Sequence, residues 1–576
     1  MVLKMLAVSL ALLASESYAA APLALESDSG MVVSSQHAAS EVGAAILRQG
    51  GNAIDAAVAV GYALAVTHPC CGNLGGGGFM LVHLADGRDT FINFRERAPL
   101  AATAGMFLDA SGNPVADRSI NGYLAIGTPG TVLGLETARE RYGTMTRAAL
   151  MAPAIRLAEE GFTLTRGDVD VFLDGNDAFG RQPNVSRIFL HDSAPLHVGD
   201  RLVQADLART LRAVSDGGAE AFYRGAIADA VVTASRANGG LLTREDFADY
   251  TVTEATPVMC GYRGFAVLSA PPPSSGGVTL CEMLRVLERY PLRRYGYHSS
   301  AAVHALTEAM RYAYHDRNLY LGDPAFVNNP IDRLLSDAHV QAIRAQIRPQ
   351  RAGNSARLVA AGAAGEHPQT THYSVADRAG NAVAVTFTIN DSFGAKVIAG
   401  DTGFFLNDEM DDFTAKPGAP NLYGLVQGAA NAIAPGKRPL SSMTPTIVLK
   451  DGKPVLILGS PGGARITTTV LQVIVNVIDH QMSLQEAVDA PRIHHQWMPD
   501  TLAAEPFALS ADTGAALTRM GYALTALPVW GAGNSVEAIG IAPSEQAEAA
   551  ALRFPRAGRF YGASDARAPA GSAAAP

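Results

Sequence analysis

The first hundred residues alternate between two periods of apolar residues. A helix is predicted over Gln36 to Gln49, where Gly50-Gly51 ends it, and Asn52 can cap a second helix that has apolar residues at helical spacing. Next, Phe79 to Leu84 and Thr90 to Phe94 flank an Asp-Gly dipeptide, which predicts a hairpin. Helices rich in alanine and β-branched strands therefore mix along the chain, with no long linker between them.

The same mixture continues towards the C-terminus, without an internal repeat. Its further expected elements are a helix over Pro153 to Glu160, a loop over Arg351 to His367, a hairpin of Thr446 to Leu449 with Pro454 to Leu458, an apolar helix from about Ala464, a short helix with a capping box of Ser483 and Glu486 that Pro491 ends, and a frayed tail from Arg567 to Pro576. One large layered domain is compatible with this order of elements.

The segment from Thr371 to Ile389 predicts a strand, a turn over Asp377 to Asn381 and a second strand. On the second strand, apolar residues alternate with Ala, Thr and Asn, so one face is expected in the core and the other is polar. This register places Thr388 opposite Thr370 or within one residue of it, with Cβ atoms roughly 5 Å apart. The two hydroxyls can then meet, but the spacing alone favours a half-exposed sheet whose threonines are good strand formers.

Composition changes this picture mainly by exclusion. The 576 residues are 48% hydrophobic and 17% charged, as expected for a globular chain with a large core. A net charge of -9 without a Lys/Arg run argues against nucleic acid or an anionic membrane as a partner. The four cysteines form no zinc pattern and no disulfide scaffold, and the pairing of Cys70 and Cys71 stays open.

The N-terminus predicts export. Residues 1–21 combine Lys4, an apolar stretch from Met5 to Ala14 and small residues up to Ala21, which is the pattern of a secretory signal peptide. A transmembrane anchor needs about 20 apolar residues, and polar residues interrupt this stretch too early. We therefore expect a mature protein without a membrane span, located in a bacterial periplasm or outside the cell.

Three segments invite a chemical interpretation. Ser460 to Gly463 lies between a predicted strand and helix, where exposed backbone N–H groups can hold an oxyanion, although a plain tight turn explains the segment as well. Gly75 to Gly78 precedes a strand and lacks a following Lys-Ser or Lys-Thr, so a nucleotide loop is weakly supported. The acidic run from Asn407 to Phe413 could hold an ammonium group, but such runs are usually solvated turns. No zinc-hydrolase motif or serine triad appears in a suitable context, so no metal and no cofactor are expected.

Five segments together carry a family resemblance. They are Asn93-Phe94-Arg95-Glu96, Gln369-Thr370-Thr371-His372-Tyr373-Ser374-Val375, Asn407 to Phe413, Lys437-Arg438-Pro439-Leu440-Ser441-Ser442-Met443 and Gly459-Ser460-Pro461-Gly462-Gly463. These segments resemble γ-glutamyltransferases, and the likeness runs from about Gly30 to Ala566. The resemblance implies the N-terminal-nucleophile hydrolase fold, an α+β four-layer αββα sandwich.

The resemblance also implies that the chain cuts itself between Gln369 and Thr370. After removal of the signal peptide, residues 22–369 would form a large subunit and residues 370–576 a small one, held together as one globular unit. Cleavage would give Thr370 a free α-amine with a pKa of about 8, which can accept the proton of the hydroxyl near neutral pH. No histidine is needed, which accounts for the missing triad.

Site residues are carried over one by one. Thr370 would be the nucleophile, Thr388 would orient or polarise its hydroxyl, and Gly462 and Gly463 would donate N–H groups to the oxyanion. The implied substrate contacts surround one γ-glutamyl group and are Arg95, Ser441 and Ser442 at the α-carboxylate, Asn390, Glu409 and Asp412 at the α-ammonium group, and Tyr423 as a lid. Some family members have Gln where Glu409 stands, so the balance between hydrolysis and transfer stays open.

The expected activity is therefore cleavage of γ-glutamyl amides, such as glutathione and related compounds. The group would pass through an ester on Thr370 to water or to an amino-acid or peptide acceptor. A glutaryl-cephalosporin acylase on the same fold is the nearest rival, and the acidic residues Glu409 and Asp412 speak against it. A non-catalytic binder that stays uncut and a nucleotide-binding oxidoreductase that uses Gly75 to Gly78 are less favoured by the residues.

Overall fold

The computed structural model of the chain describes residues 22–115, 117–358, 370–527 and 534–576. The predicted signal peptide and Gln369 lie outside the described residues. The strands, in chain order, are β1 Leu25–Ser27, β2 Gly30–Ser34, β3 Gly77–His83, β4 Asp89–Phe94, β5 Phe162–Thr163, β6 Leu190–His191, β7 Ala194–Pro195, β8 Arg201–Leu202, β9 Thr253–Ala255, β10 Val258–Tyr262, β11 Phe265–Ser269, β12 Thr371–Asp377, β13 Ala382–Thr388, β14 Thr446–Lys450, β15 Lys453–Leu458, β16 Ile493–His494, β17 Leu502–Ala504, β18 Leu524–Ala526, β19 Glu537–Ile541, β20 Phe560–Ser564 and β21 Ser572–Ala574.

Helices connect these strands. They are α1 His37–Arg48, α2 Ala53–Thr67, α3 Thr131–Tyr142, α4 Arg147–Glu160, α5 Arg166–Phe172, α6 Asn176–Phe179, α7 Pro183–Phe189, α8 Ala205–Tyr223, α9 Ala226–Ala237, α10 Arg244–Ala248, α11 Gly276–Leu287, α12 Leu292–Tyr295, α13 Ser300–Tyr320, α14 Ile331–Leu334, α15 Asp337–Gln346, α16 Arg465–Ile478, α17 Leu484–Asp489, α18 Ala511–Met520 and α19 Gln546–Ala551. A 3₁₀ turn covers Glu409–Asp412, within the acidic run. Within the described ranges, no helix has both the length and the apolar character that a membrane span requires.

Two large antiparallel sheets form the centre of the molecule. Counting the described residues, each has seven strands, ordered β1-β20-β19-β15-β14-β11-β10 and β21-β2-β12-β13-β3-β4-β9. Their inner faces pack together through apolar side chains such as Val33 and Leu81 from one sheet and Ile447 and Ile539 from the other. Burying these faces against each other removes apolar surface from water, at about 25 cal/mol per Å².

Helices cover both outer faces. Helix α2, in which every residue is buried, packs with α1 against the sheet that contains β12 and β13, and α4 packs on α2. Helices α11, α13 and α16 cover the other sheet. The result is the four-layer αββα sandwich that the family resemblance implied.

The predicted local elements are largely confirmed. Helix α1 starts after Gln36, whose side chain accepts from two backbone N–H groups, and Asn52 forms a capping box with Asp55 at the start of α2. The hairpins β3–β4 and β14–β15, the helix after Ala464 and the capping box of α17 also lie as expected. The helix predicted from Pro153 begins earlier, at Arg147, because Thr146 caps it and Pro153 is accommodated inside.

The hairpin of β12 and β13 has the predicted turn but not the predicted exposure. The Asp377 N–H donates to the Asn381 carbonyl, and Thr371 pairs with Phe387, so Thr370 faces Thr388 one step beyond the ladder. Every residue of β12 and β13 is buried, so the expectation of a half-exposed sheet is wrong. The polar face is covered because it turns towards the other large sheet, which contains β14 and β15, while the apolar face packs on α2.

The C-terminal tail differs from expectation, and the cysteine pairing that the sequence left open is resolved. The tail predicted to fray instead forms β21, which pairs with β2, and Arg567 is ion-paired to Glu505 and Asp565. Pairing with a strand far away in sequence overrides the weak local preference of Ala and Pro. Cysteines Cys70 and Cys71 form one disulfide and Cys260 and Cys281 another, so the described cysteines are paired although their spacing gave no scaffold pattern.

The two sheets interleave the chain on either side of residue 370. In the first sheet, β14, β15, β19 and β20 lie between β1 on one edge and β11 and β10 on the other. In the second sheet, β12 and β13 lie between β2 and β3. These two groups of strands, which follow Thr370, are therefore each hydrogen-bonded on both flanks to strands that precede it.

Candidate active site

Thr370 lies at the start of the central hairpin. It is 6% exposed, and its Oγ1 is 3.4 Å from Oγ1 of Thr388. The Thr388 hydroxyl also accepts a hydrogen bond of 2.8 Å from the Asn390 N–H, which fixes its position. The sequence-based pairing of the two threonines is thus confirmed, and a strand ladder rather than a flexible loop positions the hydroxyl of Thr370.

Two glycines form the turn between β15 and α16. Gly462 has φ +126° and Gly463 has φ +53°, both in the region where a side chain is strained. A Cβ on Gly463 would lie 2.5 Å from Cδ1 of Tyr423, so the tyrosine ring packs directly on this backbone. Among the described residues, neither glycine N–H donates to a protein acceptor. They are therefore available to an oxyanion at the N-terminal end of a helix.

Arg95 follows β4 and is fully buried. Its N–H donates to Oδ1 of Asn93 at 3.0 Å, and its carbonyl accepts from the Tyr250 hydroxyl at 2.8 Å. Its Nε donates to the Pro439 carbonyl at 3.2 Å, which ties the guanidinium to the segment that carries the two serines. The backbone and the side chain of Arg95 are thus both held in place.

Three carboxylates surround this guanidinium. It forms ion pairs with Glu409 and Asp412 and a longer one, of 3.5 Å, with Glu96. The interpretation of 407–413 as a solvated acidic turn is wrong, because Glu409 is 1% and Asp412 9% exposed. Arg95 is likewise enclosed, so these are buried ion pairs rather than pairs at the surface.

Burial sets the charge of this cluster. Burial raises the pKa of Glu96 to about 7 and the pKa of Glu409 well above its ordinary value, although Arg95 opposes both shifts. Burial also acts to lower the pKa of Arg95, but the three carboxylates outweigh it and the pKa is raised. Arg95 therefore stays cationic, while burial favours the protonated forms of Glu96 and Glu409.

Asn390 and Tyr423 close one side of the pocket. Asn390 has φ +77°, and its side-chain amide donates to the carbonyl of Asp408 at 3.1 Å. The Tyr423 hydroxyl donates to Oδ1 of Asn390 at 2.7 Å. A left-handed asparagine at this place is uncommon, and the surrounding hydrogen bonds are what hold it.

The serine pair has a partner that the sequence reasoning missed. Ser442 Oγ accepts from Nη2 of Arg317 at 2.9 Å, and the Ser441 carbonyl accepts from both the N–H and the hydroxyl of Ser275. Arg317 lies on α13, far in sequence from the five segments that carry the family resemblance. No spacing signal pointed to it, since only the tertiary fold brings α13 to this segment.

The structure brings nearly all the predicted residues to one pocket. Those that line it are Arg95, Thr370, Thr388, Asn390, Glu409, Asp412, Tyr423, Ser441, Ser442 and Gly463. Gly462 is the next residue along the same turn, and Gln369 lies outside the described residues. Thr370 also lines a second cavity of about 640 Å³, together with Pro461 and Ser535. Thr370, the candidate nucleophile, therefore borders both the pocket of Arg95 and this second cavity.

Possible metal ligands lie elsewhere. Among the described residues, His68 lies near Cys70 and Cys71, whose thiols are joined in a disulfide. Glu282, Asp316 and His339 form a second cluster, in which His339 Nε2 is 2.6 Å from Oδ2 of Asp316. None of these side chains lines the pocket of Arg95 and Thr370.

The fold and this pocket define an N-terminal-nucleophile hydrolase. Residues 39–575 match the family model described as Gamma-glutamyltranspeptidase, and the chain belongs to that family of enzymes. The chain is 53% identical to a Glutathione hydrolase proenzyme of Pseudomonas sp. (strain A14), over 96% of this chain and 95% of that protein. It is 48% identical to the Glutathione hydrolase proenzyme of Escherichia coli (strain K12), over 93% and 90%. The crystal structure of a cephalosporin acylase from Bacillus halodurans superposes with a TM-score of 0.82 at 26% identity, covering 98% of each chain.

Proposed function

We propose that this protein is a self-cleaving γ-glutamyltransferase and glutathione hydrolase with Thr370 as its nucleophile. The observation that carries the proposal is the meeting, in one pocket, of the Thr370 hydroxyl with a charged cluster of Arg95, Glu409 and Asp412. A hydroxyl nucleophile supplies acyl transfer, and a cluster with both signs of charge suits the zwitterionic end of a glutamyl group.

Maturation is proposed to begin with attack of the Thr370 hydroxyl on the Gln369 carbonyl carbon. The peptide C–N bond breaks, which leaves an ester on Oγ1 and a free α-amine on Thr370. Water then hydrolyses the ester and separates a large subunit, residues 22–369, from a small subunit, residues 370–576. The interleaved strands would keep both subunits in one folded unit.

Catalysis uses the amine that cleavage releases. The α-amine accepts the hydroxyl proton, and Oγ1 attacks the γ-carbonyl carbon of the substrate. Gly462 and Gly463 donate N–H groups to the oxyanion, where the loss of one donor typically costs about 3 to 4 kcal/mol of barrier. The C–N bond then breaks, the leaving amine takes the proton, and water or an acceptor amine attacks the ester. The larger cavity beside Thr370 offers room for the leaving group and the acceptor.

Recognition is assigned to the charged side of the pocket. Arg95 would bind the α-carboxylate with the help of Ser441 and Ser442, and Glu409 and Asp412 would bind the α-ammonium group. Both carboxylates already touch Arg95 without a substrate, so the ligand would exchange one set of ion pairs for another. The second acceptor site of Asn390 Oδ1 remains for the ammonium group, and Tyr423 would cover it.

The competing proposal is a cephalosporin acylase, as in the structural relative. A glutaryl group has the carboxylate but lacks the α-amine, and would leave Glu409 and Asp412 without a cationic ligand group. Rates on γ-glutamyl-anilide and glutaryl-anilide separate the two proposals. Preference for the γ-glutamyl compound supports the first, and cleavage of the glutaryl compound alone would reject it.

Export is proposed from the signal-like segment of residues 1–21. The disulfides Cys70–Cys71 and Cys260–Cys281 agree with an oxidising compartment, because such bonds are rare in a reducing cytosol. Cell fractionation followed by N-terminal sequencing of both subunits tests this. Sequences that start near residue 22 and at Thr370 are expected, and a large subunit that retains Met1 would refute the export step.

A further inference from the structure

Arg317 is a buried cation that has only neutral partners. It is 2% exposed and donates to Oγ of Ser275 at 3.0 Å, Oδ1 of Asn318 at 2.7 Å, Oε1 of Gln427 at 3.3 Å and Oγ of Ser442 at 2.9 Å. Among the described residues, no carboxylate forms an ion pair with it. A buried charge without a counter-ion is unfavourable, so such a residue calls for an explanation.

Arg95, which lines the pocket, offers the contrast. Its guanidinium has three carboxylate neighbours, so its charge is matched before any substrate binds. Burial lowers the pKa of Arg317 to about 10, which still leaves it protonated at neutral pH. Asp412 attracts the Arg317 charge but is itself ion-paired to Arg95, so Arg317, unlike Arg95, has no ion-pair partner among the described residues.

The hydrogen bond from Arg317 orients the Ser442 hydroxyl. A serine hydroxyl has one proton to donate and two acceptor positions, and Arg317 occupies one of the latter. In the described part of the chain, the Ser442 hydroxyl donates to no acceptor, and Ser442 lines the pocket. Its proton is thus directed away from Arg317 and free for an anionic group.

Ser275 holds the backbone of Ser441, the neighbour of Ser442. Its hydroxyl, which accepts from Arg317 Nε, donates to the Ser441 carbonyl at 2.7 Å, and its N–H donates to that carbonyl at 2.8 Å. Arg317 therefore contacts Ser442 directly and is linked to Ser441 through Ser275. Removing the guanidinium would free the Ser442 hydroxyl and would take one hydrogen-bond partner from Ser275, which supports Ser441.

We propose that Arg317 is a positioning residue for substrate recognition, which makes Ser442 a donor to the α-carboxylate and supplies the counter-charge for that carboxylate. This inference rests on the proposed function, and it divides the recognition of the α-carboxylate between Arg95 and the Arg317–Ser442 pair. The Arg317–Ser442 pair would select acyl donors whose α-carboxylate is free. Donors with an ester or an amide at the α-position would be disfavoured.

The test compares two substrates on matched variants. γ-Glutamyl-anilide and its α-carboxamide analogue differ only in the charge at the position that Arg317 is proposed to recognise. Arg317→Gln is expected to raise KM for the carboxylate substrate by about 10- to 100-fold, the range for a hydrogen bond to a charged group. KM for the carboxamide should change by less than about threefold, since that substrate brings no charge.

A double variant adds a second readout. Ser442→Ala should show the same discrimination between substrates, and Arg317→Gln with Ser442→Ala should be no worse than the stronger single change, because both act on one contact. Additive losses would overturn the relay through Ser442. Should Arg317→Gln fail to fold, Arg317→Lys retains a charge without the planar fork, and the ratio of its two KM values decides the same question.

Arg311→Gln is the matched control, because Arg311 is equally buried on the same helix but is ion-paired to Glu308 and Asp500. It should lower the melting temperature without discriminating between the substrates. Equal KM changes for both substrates in Arg317→Gln, or no change in either, would refute the positioning role. A wild-type enzyme that cleaves neither compound would instead refute the proposed function, so the two failures are distinguishable.

Discussion

The two ends of the pocket differ in the kind of group they present. At the reaction end, Thr370, Thr388 and the Gly462-Gly463 turn offer hydroxyls and N–H groups. At the recognition end, Arg95 is packed against three carboxylates. In the proposed mechanism, the base for the chemistry is the main-chain amine of Thr370, while the charged residues would provide the selectivity. Changes at the two ends should therefore have separable effects.

Thr370→Ala should have the largest effect, because it removes the nucleophile of both the proposed cleavage and catalysis. One uncut chain without activity is expected, seen as a single full-length band on a denaturing gel. Thr370→Ser keeps the hydroxyl and should still produce two subunits. Recovery of two subunits from Thr370→Ala would contradict self-cleavage by this hydroxyl.

Arg95→Ala should change recognition but leave maturation intact, because the attack on the Gln369 carbonyl involves no substrate carboxylate. We expect KM for γ-glutamyl-anilide to rise by about 100-fold or more, as for loss of one partner from a buried charge pair. Arg95→Lys should give a smaller rise, since it keeps the charge but lacks the fork. An unchanged KM, or a chain that stays uncut, would erase the distinction between the two ends.

Thr388→Val sharpens the reaction end. The substitution removes the hydroxyl 3.4 Å from Thr370 Oγ1 with little change in shape. Loss of one hydrogen bond worth about 1 kcal/mol should lower kcat by about five- to tenfold, with little change in KM. Steady-state kinetics measures both constants. A rise in KM without a fall in kcat would indicate that Thr388 acts in substrate recognition rather than in the reaction.

Glu537→Gln tests a carboxyl group hidden behind the reaction end. Glu537 is fully buried and accepts from Ser35 at 3.0 Å, and Ser35 in turn accepts from the Thr371 hydroxyl. Burial raises the pKa of Glu537 to about 8. The stability that its protonated form provides is therefore complete below the ordinary carboxyl pKa and is lost as the pH rises through 8.

The glutamine variant cannot ionise, so it should match the wild type at pH 5 and exceed it at pH 8. We expect its melting temperature to gain about 1 to 3 °C over the wild type across this range, the smallest of the predicted effects. Differential scanning calorimetry at a series of pH values measures the difference. A gain that is the same at pH 5 and pH 8 would indicate that Glu537 does not titrate there.

Local sequence signals predicted the reaction end better than the recognition end. The turn over Asp377 to Asn381 determines the register of β12 and β13, so counting residues was enough to pair Thr370 with Thr388. The Gly462-Gly463 turn likewise follows from its flanking strand and helix. Both features depend on residues close in sequence, which is why spacing carried the information.

The recognition end depends on contacts that spacing cannot encode. Arg95 and Glu409 come together across more than three hundred residues, and only the family resemblance indicated that they share a site. Arg317 was missed because its helix carries no motif. The C-terminal tail was mispredicted for a related reason, since the composition of β21 gives no sign of its pairing with β2. Burial of the acidic run was likewise invisible, because a charge pattern does not reveal which charges the fold will enclose.

The order of strands in the two sheets has a consequence for the assembly of the enzyme. β12 and β13 are inserted between β2 and β3. Scission before Thr370 would therefore leave two polypeptides whose strands alternate in the same sheets. They could be pulled apart only by breaking hydrogen-bond ladders on both flanks, so subunits from different molecules should not exchange under native conditions. The interleaved sheets would then form while the two subunits are still one continuous chain, before cleavage.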